Sequence, residues 1–429
     1  MSAVVARIEF LVLVAALAVA ALSTGADFLF FLLYLVTVVG AGAYLLTRFG
    51  LSNLEAGYAL GQLHGTVGDQ LRITYTIRST GRVPKPWLEI EQPSNLPVAL
   101  PPRALNLGSR GERTWMVRVP LTRRGHYRIE PLEVRTCDPF GLFEATATVG
   151  TGATLVVYPR VEALPFWRLP ASSVEGTHAS RERTHQTTPL VTSVRPYDPG
   201  DAFNRIHWPT TARQQELYVR EFDLEQAADA WIFLDLDRSV HAGTGDESTI
   251  EAAVRVAAAV GGRALAEKRA LGLTAYGRHL AILPADRGPR QYQKFMAALA
   301  GVQADGDEPL VEILSRGLGR MRRGMTAVVV TPSLDPRWIR PLARLRSRGV
   351  ATVVCHLDPL AYEAAPSADG RRSASVPVEV AAHEGRRQAL HDLHRELAEN
   401  DLAVHAIVPR VRLGELMISP GGVALRRAG

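Results

Sequence analysis

A chain of 429 residues with 49 Lys and Arg against 43 Asp and Glu carries a formal charge of +6, and its length leaves room for two or three domains at roughly 100–200 residues each. A hydrophobic fraction of 47% with 21% charged residues excludes wholesale disorder, and only two cysteines, Cys137 and Cys355, exclude a disulfide scaffold or a Cys-rich zinc module. The basic excess is spread thinly, without a dense Lys/Arg run or a basic stripe interleaved with aromatics, so no nucleic-acid partner is expected.

Two apolar stretches open the chain. Phe10 to Leu22 is unbroken, and Phe28 to Thr47 holds no charge. Each reaches about 20 residues with its apolar flanks, enough to cross a hydrocarbon core ~30 Å thick. Arg7 and Arg48 flank the pair, and the loop between them carries only Asp27. That asymmetry predicts a transmembrane hairpin over residues 1–48 in the inner (plasma) membrane, multi-pass, with the bulk of the chain cytoplasmic. A cleaved signal peptide followed by one crossing would leave the remainder on the same side. Two buried core helices are the soluble alternative.

Residues 49–163 change character. Leu71-Arg72-Ile73-Thr74-Tyr75-Thr76-Ile77 and Thr114-Trp115-Met116-Val117-Arg118-Val119 alternate with period two, and turn formers such as Asp138-Pro139-Phe140-Gly141 separate such runs. A small antiparallel β-sandwich is expected. Residues 164–190, rich in Pro, Ser, Thr, His and Arg without a sustained period, read as a linker draped over the surface.

The rest of the 164–227 segment packs Asp198, Asp201, Arg205, His207, Arg213, Glu216, Arg220 and Glu221 closely together, with Trp208 among them. Such a cluster builds either an Arg–carboxylate network that pins a loop, or a site in which His207 carries a proton and arginines hold an anion. The network is the favoured reading.

Residues 228–429 alternate in the α/β manner. Trp231–Leu236, Leu271–Tyr276, Thr326–Val330, Val350–Cys355 and Leu402–Val408 read as strands, and Ile250–Lys268, Tyr292–Leu299, Leu310–Met321 and Arg386–Glu399 as helices. A doubly wound, mostly parallel sheet follows. At the first strand's carboxyl end, Asp235-Leu236-Asp237-Arg238-Ser239 collects hard oxygen donors suited to Mg²⁺ or another divalent cation. The alternative is an aspartate accepting backbone N–H bonds at a helix start. His391 and His394 share a helix face that reads as solvated. Nucleophile-elbow, zinc-helix, Cys-x-x-Cys and phosphate-loop motifs are missing from the sequence.

The stretch around Tyr197, Pro199, Gly200, Asp201, Arg205, Ile206, His207, Trp208, Ala212, Arg213, Leu217, Val219, Arg220 and Phe222 resembles the signature of the bacterial family called domain of unknown function 58 (DUF 58). Arg205 and Ile206 are adjacent here, and Pro209 and Thr211 depart from the family's usual Lys and Ser. Arg123-Arg124-Gly125-His126-Tyr127 and Asp138-Pro139-Phe140-Gly141-Leu142-Phe143 also fit the pattern. The resemblance implies a von Willebrand factor A-like domain whose Asp-x-Ser-x-Ser turn is matched by Asp235 and Ser239, with Asp237 at the first serine. Ser333 and Asp335 are candidates for a later loop of the same metal set. It also implies frequent pairing with a MoxR-type AAA+ ATPase.

The expected architecture is therefore multi-domain: two transmembrane helices, an all-β sandwich, and a C-terminal doubly wound α/β domain. The expected role is a membrane-anchored interaction or scaffold protein that is not an enzyme. Two rivals stand beside it. One is a metal-assisted hydrolase using Asp235 and Asp237 with His207 as base, and the other is an anion-binding module built on Arg205, Arg213 and Arg220.

Overall fold

The computed structural model describes residues 2–170, 191–198, 201, 203, 206–222, 229–278, 280–364 and 380–417. The chain divides into two compact units, Met1–Arg160 with Met296–Val302, and Val161–Phe295 with Gln303–Gly429.

The first unit begins with helices α1 (Ser2–Thr24) and α2 (Asp27–Gly50). Over Arg7–Thr24 and Asp27–Gly50 both are long and apolar enough to cross a membrane, and few of their residues are buried against protein. Asp27 lies in the first turn of α2 and Arg48 in its last, each opposite in sign to the nearby end of the helix dipole.

Ten strands follow: β1 (Leu54–Leu60), β2 (His64–Thr66), β3 (Gln70–Ser79), β4 (Lys85–Glu91), β5 (Arg103–Leu107), β6 (Glu112–Pro120), β7 (Gly125–Ile129), β8 (Leu132–Cys137), β9 (Glu144–Val149) and β10 (Ala153–Tyr158). They form sheets in the orders β1-β3-β6, β2-β10-β7 and β5-β4-β8-β9. Pairing is antiparallel except between β10 and β2. The period-two pattern has the expected cause. Leu71, Ile73, Tyr75 and Ile77 of β3 turn inward onto one core with Leu88, Ile129, Val134 and Leu155, while Arg72 and Arg78 face out.

The second unit holds β11 (Val191–Pro196), α3 (Trp208–Gln214) and β12 (Tyr218–Phe222), then β13 (Ala230–Leu234), α4 (Thr249–Ala266), β14 (Leu271–Tyr276), β15 (Leu280–Asp286), α5 (Pro289–Gly301), whose residues from Met296 onward are grouped with the first unit, and α6 (Leu310–Gly317). After these come β16 (Thr326–Thr331), α7 (Ile339–Ser347), β17 (Ala351–Leu357), α8 (Pro359–Ala364), α9 (Val380–Glu399), β18 (Ala403–Ile407) and α10 (Leu413–Leu416). Six strands form one sheet in the order β15-β14-β13-β16-β17-β18, parallel except for β15 at the edge. β13 and β16 are buried along their whole length, as strands covered on both faces must be. The strand direction of travel reverses between β13 and β16, and in open α/β sheets that switch point is where ligands bind, beyond the carboxyl ends.

The described part of the expected linker corrects that reading. Leu164, Trp167 and Leu169 are buried rather than draped over the surface. Trp167 Nε1 donates to His405 Nε2 at 3.2 Å, and the carbonyls of Leu169 and Pro170 accept from Arg269 and Thr326. Pro and Ser content concealed three apolar anchors at a spacing of two or three residues. Residues 171–190 lie outside the described residues.

Candidate functional site

The charged signature forms a small module. β11 and β12 pair antiparallel with α3 between them in sequence, and the N–H of Tyr197 donates to the Leu217 carbonyl at 2.8 Å. The carboxylate of Asp201 organises the turn. It takes bidentate hydrogen bonds from Arg195 at 2.8 Å and one from the N–H of Asp198 at 3.1 Å. Arg195, which the sequence pattern did not single out, thus pairs with Asp198 and Asp201. The Tyr197 ring tilts against Phe203 at 5.9 Å.

His207 precedes α3, where its Nδ1 shares a hydrogen with Thr210 Oγ1 at 2.8 Å and its N–H donates to the Tyr218 carbonyl. Trp208 opens the helix and is 63% exposed. Arg213 is exposed in the last turn. Pro199, Gly200 and Arg205 lie outside the described residues, as does the side chain of Arg220, whose backbone pairs with Val194. Of the three arginines considered for an anion, only Arg213 has a described side chain.

At the switch point the geometry is denser. Asp235, just past β13, is fully buried. Its Oδ2 accepts the Thr331 hydroxyl at 2.6 Å from the end of β16, and its Oδ1 accepts the Asp237 N–H at 3.1 Å. Burial raises the Asp235 carboxyl to about 6, against the lowering effect of these two donors. Asp237 Oδ1 in turn accepts both the hydroxyl of Ser239 at 2.7 Å and its N–H at 2.9 Å. Gly306 seals this turn: its N–H donates to Leu236 and its carbonyl accepts from Arg238. A Cβ at Gly306 would lie 2.5 Å from the Tyr276 carbonyl oxygen, so the close approach requires glycine.

Two histidines flank the cluster, His241 half-buried and His356 buried. His241 Nε2–H donates to the Asp235 carbonyl at 3.0 Å, which leaves Nδ1 to accept the Thr249 hydroxyl at 2.9 Å. Both nitrogens are occupied and burial lowers its pKa, so this imidazole is a neutral brace. On the other side a relay reaches in from α9. His394 Nε2–H donates to His356 Nδ1 at 3.3 Å, and His356 Nε2–H donates to the Ser333 carbonyl at 3.3 Å. The Ser333 N–H closes the relay on Thr331 Oγ1 at 2.9 Å. Burial, reinforced by His394, depresses His356 to about 3. His394 is therefore not on a solvated face with His391; it turns inward while His391 stays exposed.

The oxygen-rich donor set suits a hard cation better than a soft one. Asp237 and Ser239 lie beside Asp235, and Thr331 adds a hydroxyl from the end of β16. Asp335 is committed elsewhere: Arg337 forms an ion pair with it at 2.6 Å and holds its carboxyl below the usual range. Among the described residues no three His, Cys, Asp or Glu side chains are grouped to hold an ion. A cation here would therefore need the Ser239 and Thr331 hydroxyls. His207 is not within hydrogen-bonding reach of Asp235 or Asp237, whose partners are Thr331, Ser239 and each other. Sequence reasoning passed over Thr331, His241, Thr249 and His356, which read as strand and helix-start residues until their elements are neighbours.

Comparison with known proteins bears on this region directly. The family model described as "Protein of unknown function DUF58" matches residues 193–370, which span the signature module, the switch point and β17. The uncharacterized protein YeaD of Bacillus subtilis is 26% identical over 72% of this chain and 76% of its own length. The uncharacterized protein Rv1480 of Mycobacterium tuberculosis is 32% identical over 38% of this chain and 54% of its own length. The CARDB domain of PF1109 from Pyrococcus furiosus, a solved structure, aligns with a TM-score of 0.19 at 15% identity, over 24% of this chain and 86% of that one. A score that low bears no argument about fold. The match across the signature and the YeaD likeness agree, and residues 193–370 of this chain carry a region similar to the DUF58 family.

Proposed function

We propose that this chain is a multi-pass membrane protein that works by binding other proteins. In this reading α1 and α2 cross the plasma membrane as a hairpin and the bulk of the chain lies in the cytoplasm. The C-terminal domain is von Willebrand factor A-like and grips partners at its switch point. The family resemblance makes a MoxR-type AAA+ ATPase the first partner to test. The carrying observation is the buried Asp235–Thr331 pair, which ties the two central strands together directly beneath the Asp237–Ser239 turn. Such a carboxylate–hydroxyl floor, braced by His241, suits a docking loop that must keep its shape while a partner carboxylate or a hard cation meets its rim. Hydrolysis is the weaker reading because its general base is missing from reach: His207 is engaged by Thr210 and His241 by Thr249.

The test is affinity capture of the full chain from detergent-solubilised membranes, with and without Mg²⁺, alongside Asp237→Ala. Recovery of an AAA+ ATPase by the parent chain and its loss in the variant supports the reading; an eluate without any such ATPase overturns the partnership. Calorimetric titration of the purified chain with Mg²⁺ and Mn²⁺ tests the rim, and no heat at millimolar ion removes the cation from the account. Alkaline phosphatase fused at the C-terminus should be inactive. Activity there would reverse the topology.

A further inference from the structure

The turn between β8 and β9 carries the Asp138–Phe143 motif, and its geometry is oriented towards the helices rather than the sheet. The buried Asp138 carboxylate accepts the N–H groups of Phe140 at 2.8 Å and Phe143 at 2.5 Å, fixing the loop from within. So fixed, the loop meets both apolar helices. Arg7 of α1 donates to the Leu142 carbonyl at 2.8 Å and lies over the Phe143 ring at 5.6 Å. Tyr44 of α2 meets the same ring edge-on at 5.5 Å.

A second tie lies at the end of α2. Lys85 is only 1% exposed, yet its ammonium is satisfied by donating to the carbonyls of Phe49 at 2.7 Å and Ser52 at 2.9 Å. Gly50 lies so close to β8 that a Cβ would sit 2.8 Å from the Thr136 methyl, and the Thr136 hydroxyl donates to the Trp87 carbonyl. The register of β4 slips between Lys85 and Leu88, and this bulge leaves Trp87 on the outside, 49% exposed. Phe140 at the loop tip is 63% exposed and Val83 46%. Arg82, next to Val83 in the chain, and Arg48, two residues before the Gly50 contact, are exposed, neither ion-paired to any described residue. The loop bearing Arg82 is held to the helix exit by the Thr80 N–H, which donates to the Asn53 carbonyl at 2.9 Å.

We propose that this end of the sandwich is a lipid-contacting surface: Trp87, Phe140 and Val83 enter the boundary between headgroups and acyl chains, while Arg48 and Arg82 meet anionic phospholipid phosphates. The inference rests on the reading of α1 and α2 as membrane spans. Tyr44 lies six residues before the end of α2, about 9 Å along the axis, so the loop that touches it is at headgroup depth. An exposed Trp and Phe at that depth, together with two exposed, unpaired cations, match what the interface rewards. The occupant is argued from this continuity with the spans and from charge.

The experiment uses the full chain in nanodiscs of mixed phosphatidylcholine and phosphatidylglycerol, in a Cys137→Ser, Cys355→Ala background. Spin labels at Phe140→Cys, Val38→Cys within α2 and Met116→Cys on exposed β6 are compared for access to oxygen and to a water-soluble nickel chelate. Oxygen-favouring access at both 140 and 38, with nickel-favouring access at 116, is the expected result. Nickel-favouring access at 140 with position 38 still in lipid overturns the collar and leaves the spans standing. Nickel-favouring access at 38 overturns the spans and the collar with them. Quenching of native tryptophan by brominated lipid gives a second readout with Phe140 intact. The quenchable emission should be lost in Trp87→Phe and kept in Trp208→Phe; undiminished quenching in Trp87→Phe overturns the proposal.

Discussion

Thr331 sits at the junction of two hydrogen-bonded paths, one from Asp235 and one from the His394–His356 pair through Ser333. This arrangement makes the domain sensitive to acid through His356 in a definite direction. An unfolded histidine takes up its proton near 6.5, whereas His356 in the fold resists protonation until about 3 and burial lowers His394 as well. Below about 6.5 these two histidines therefore bind more protons in the unfolded chain than in the folded one. The stability is fully present above that pH and is lost as pH falls, by up to ~1.4 kcal/mol per unit for each histidine. Asp358 opposes this for His394 and His391 adds to it. His356→Gln keeps a donor for Ser333 and an acceptor for His394 but cannot titrate. Thermal unfolding of the variant should show a shallower acid slope, smaller by about one proton; an unchanged slope would mean that the pair is not what senses acid. None of this was readable along the chain. His356 sits in a strand that reads as plain β-branched core, and Thr331 looks like one more β-branched residue until β13 lies beside β16.

At the scale of elements, patterning carried most of the information. Period two placed β3 and β6, and apolar length placed α1 and α2, because those elements bury one face or none and the sequence must say which. Legibility failed where a polar residue does structural work inside. Lys85 reads as a surface position, yet it caps the carbonyls at the end of α2. β15, the antiparallel edge, was passed over because its Leu280–Asp286 run sits among Arg, Pro and Asp. Lys85→Met fills a similar volume and removes the cap, leaving two carbonyls short of a charged donor. Breaking hydrogen bonds to a charged group costs ~1.5–3 kcal/mol, so the variant should be destabilised by about that amount. Lys85→Arg, which keeps the donors, should recover part of it. Equal stability of Met and parent chains in urea unfolding would show that water replaces the cap at no cost.

For the whole molecule the deciding fact is that two of the hydrophobic clusters among the described residues share no member. One gathers Leu71, Ile73, Leu88, Ile129 and Leu155, the other Phe233, Leu314, Val329, Trp338 and Leu397. A chain with separate cores is not held to a single all-or-none transition, and scanning calorimetry of the detergent-solubilised chain should resolve two. Substitutions assign them. Gly272 in β14 lies against its neighbour on β13, and a Cβ there would come within 2.5 Å of the Trp231 ring. That ring cannot yield freely, because its Nε1–H donates to Thr274 at 2.7 Å inside the sheet. Overpacking of this kind costs ~1–3 kcal/mol, so Gly272→Ala should lower one transition and leave the other in place. Lys85→Met should do the reverse, since its partners all belong to the first core's unit. If both variants shift both transitions equally, the cores unfold as one cooperative system and the two-transition expectation fails.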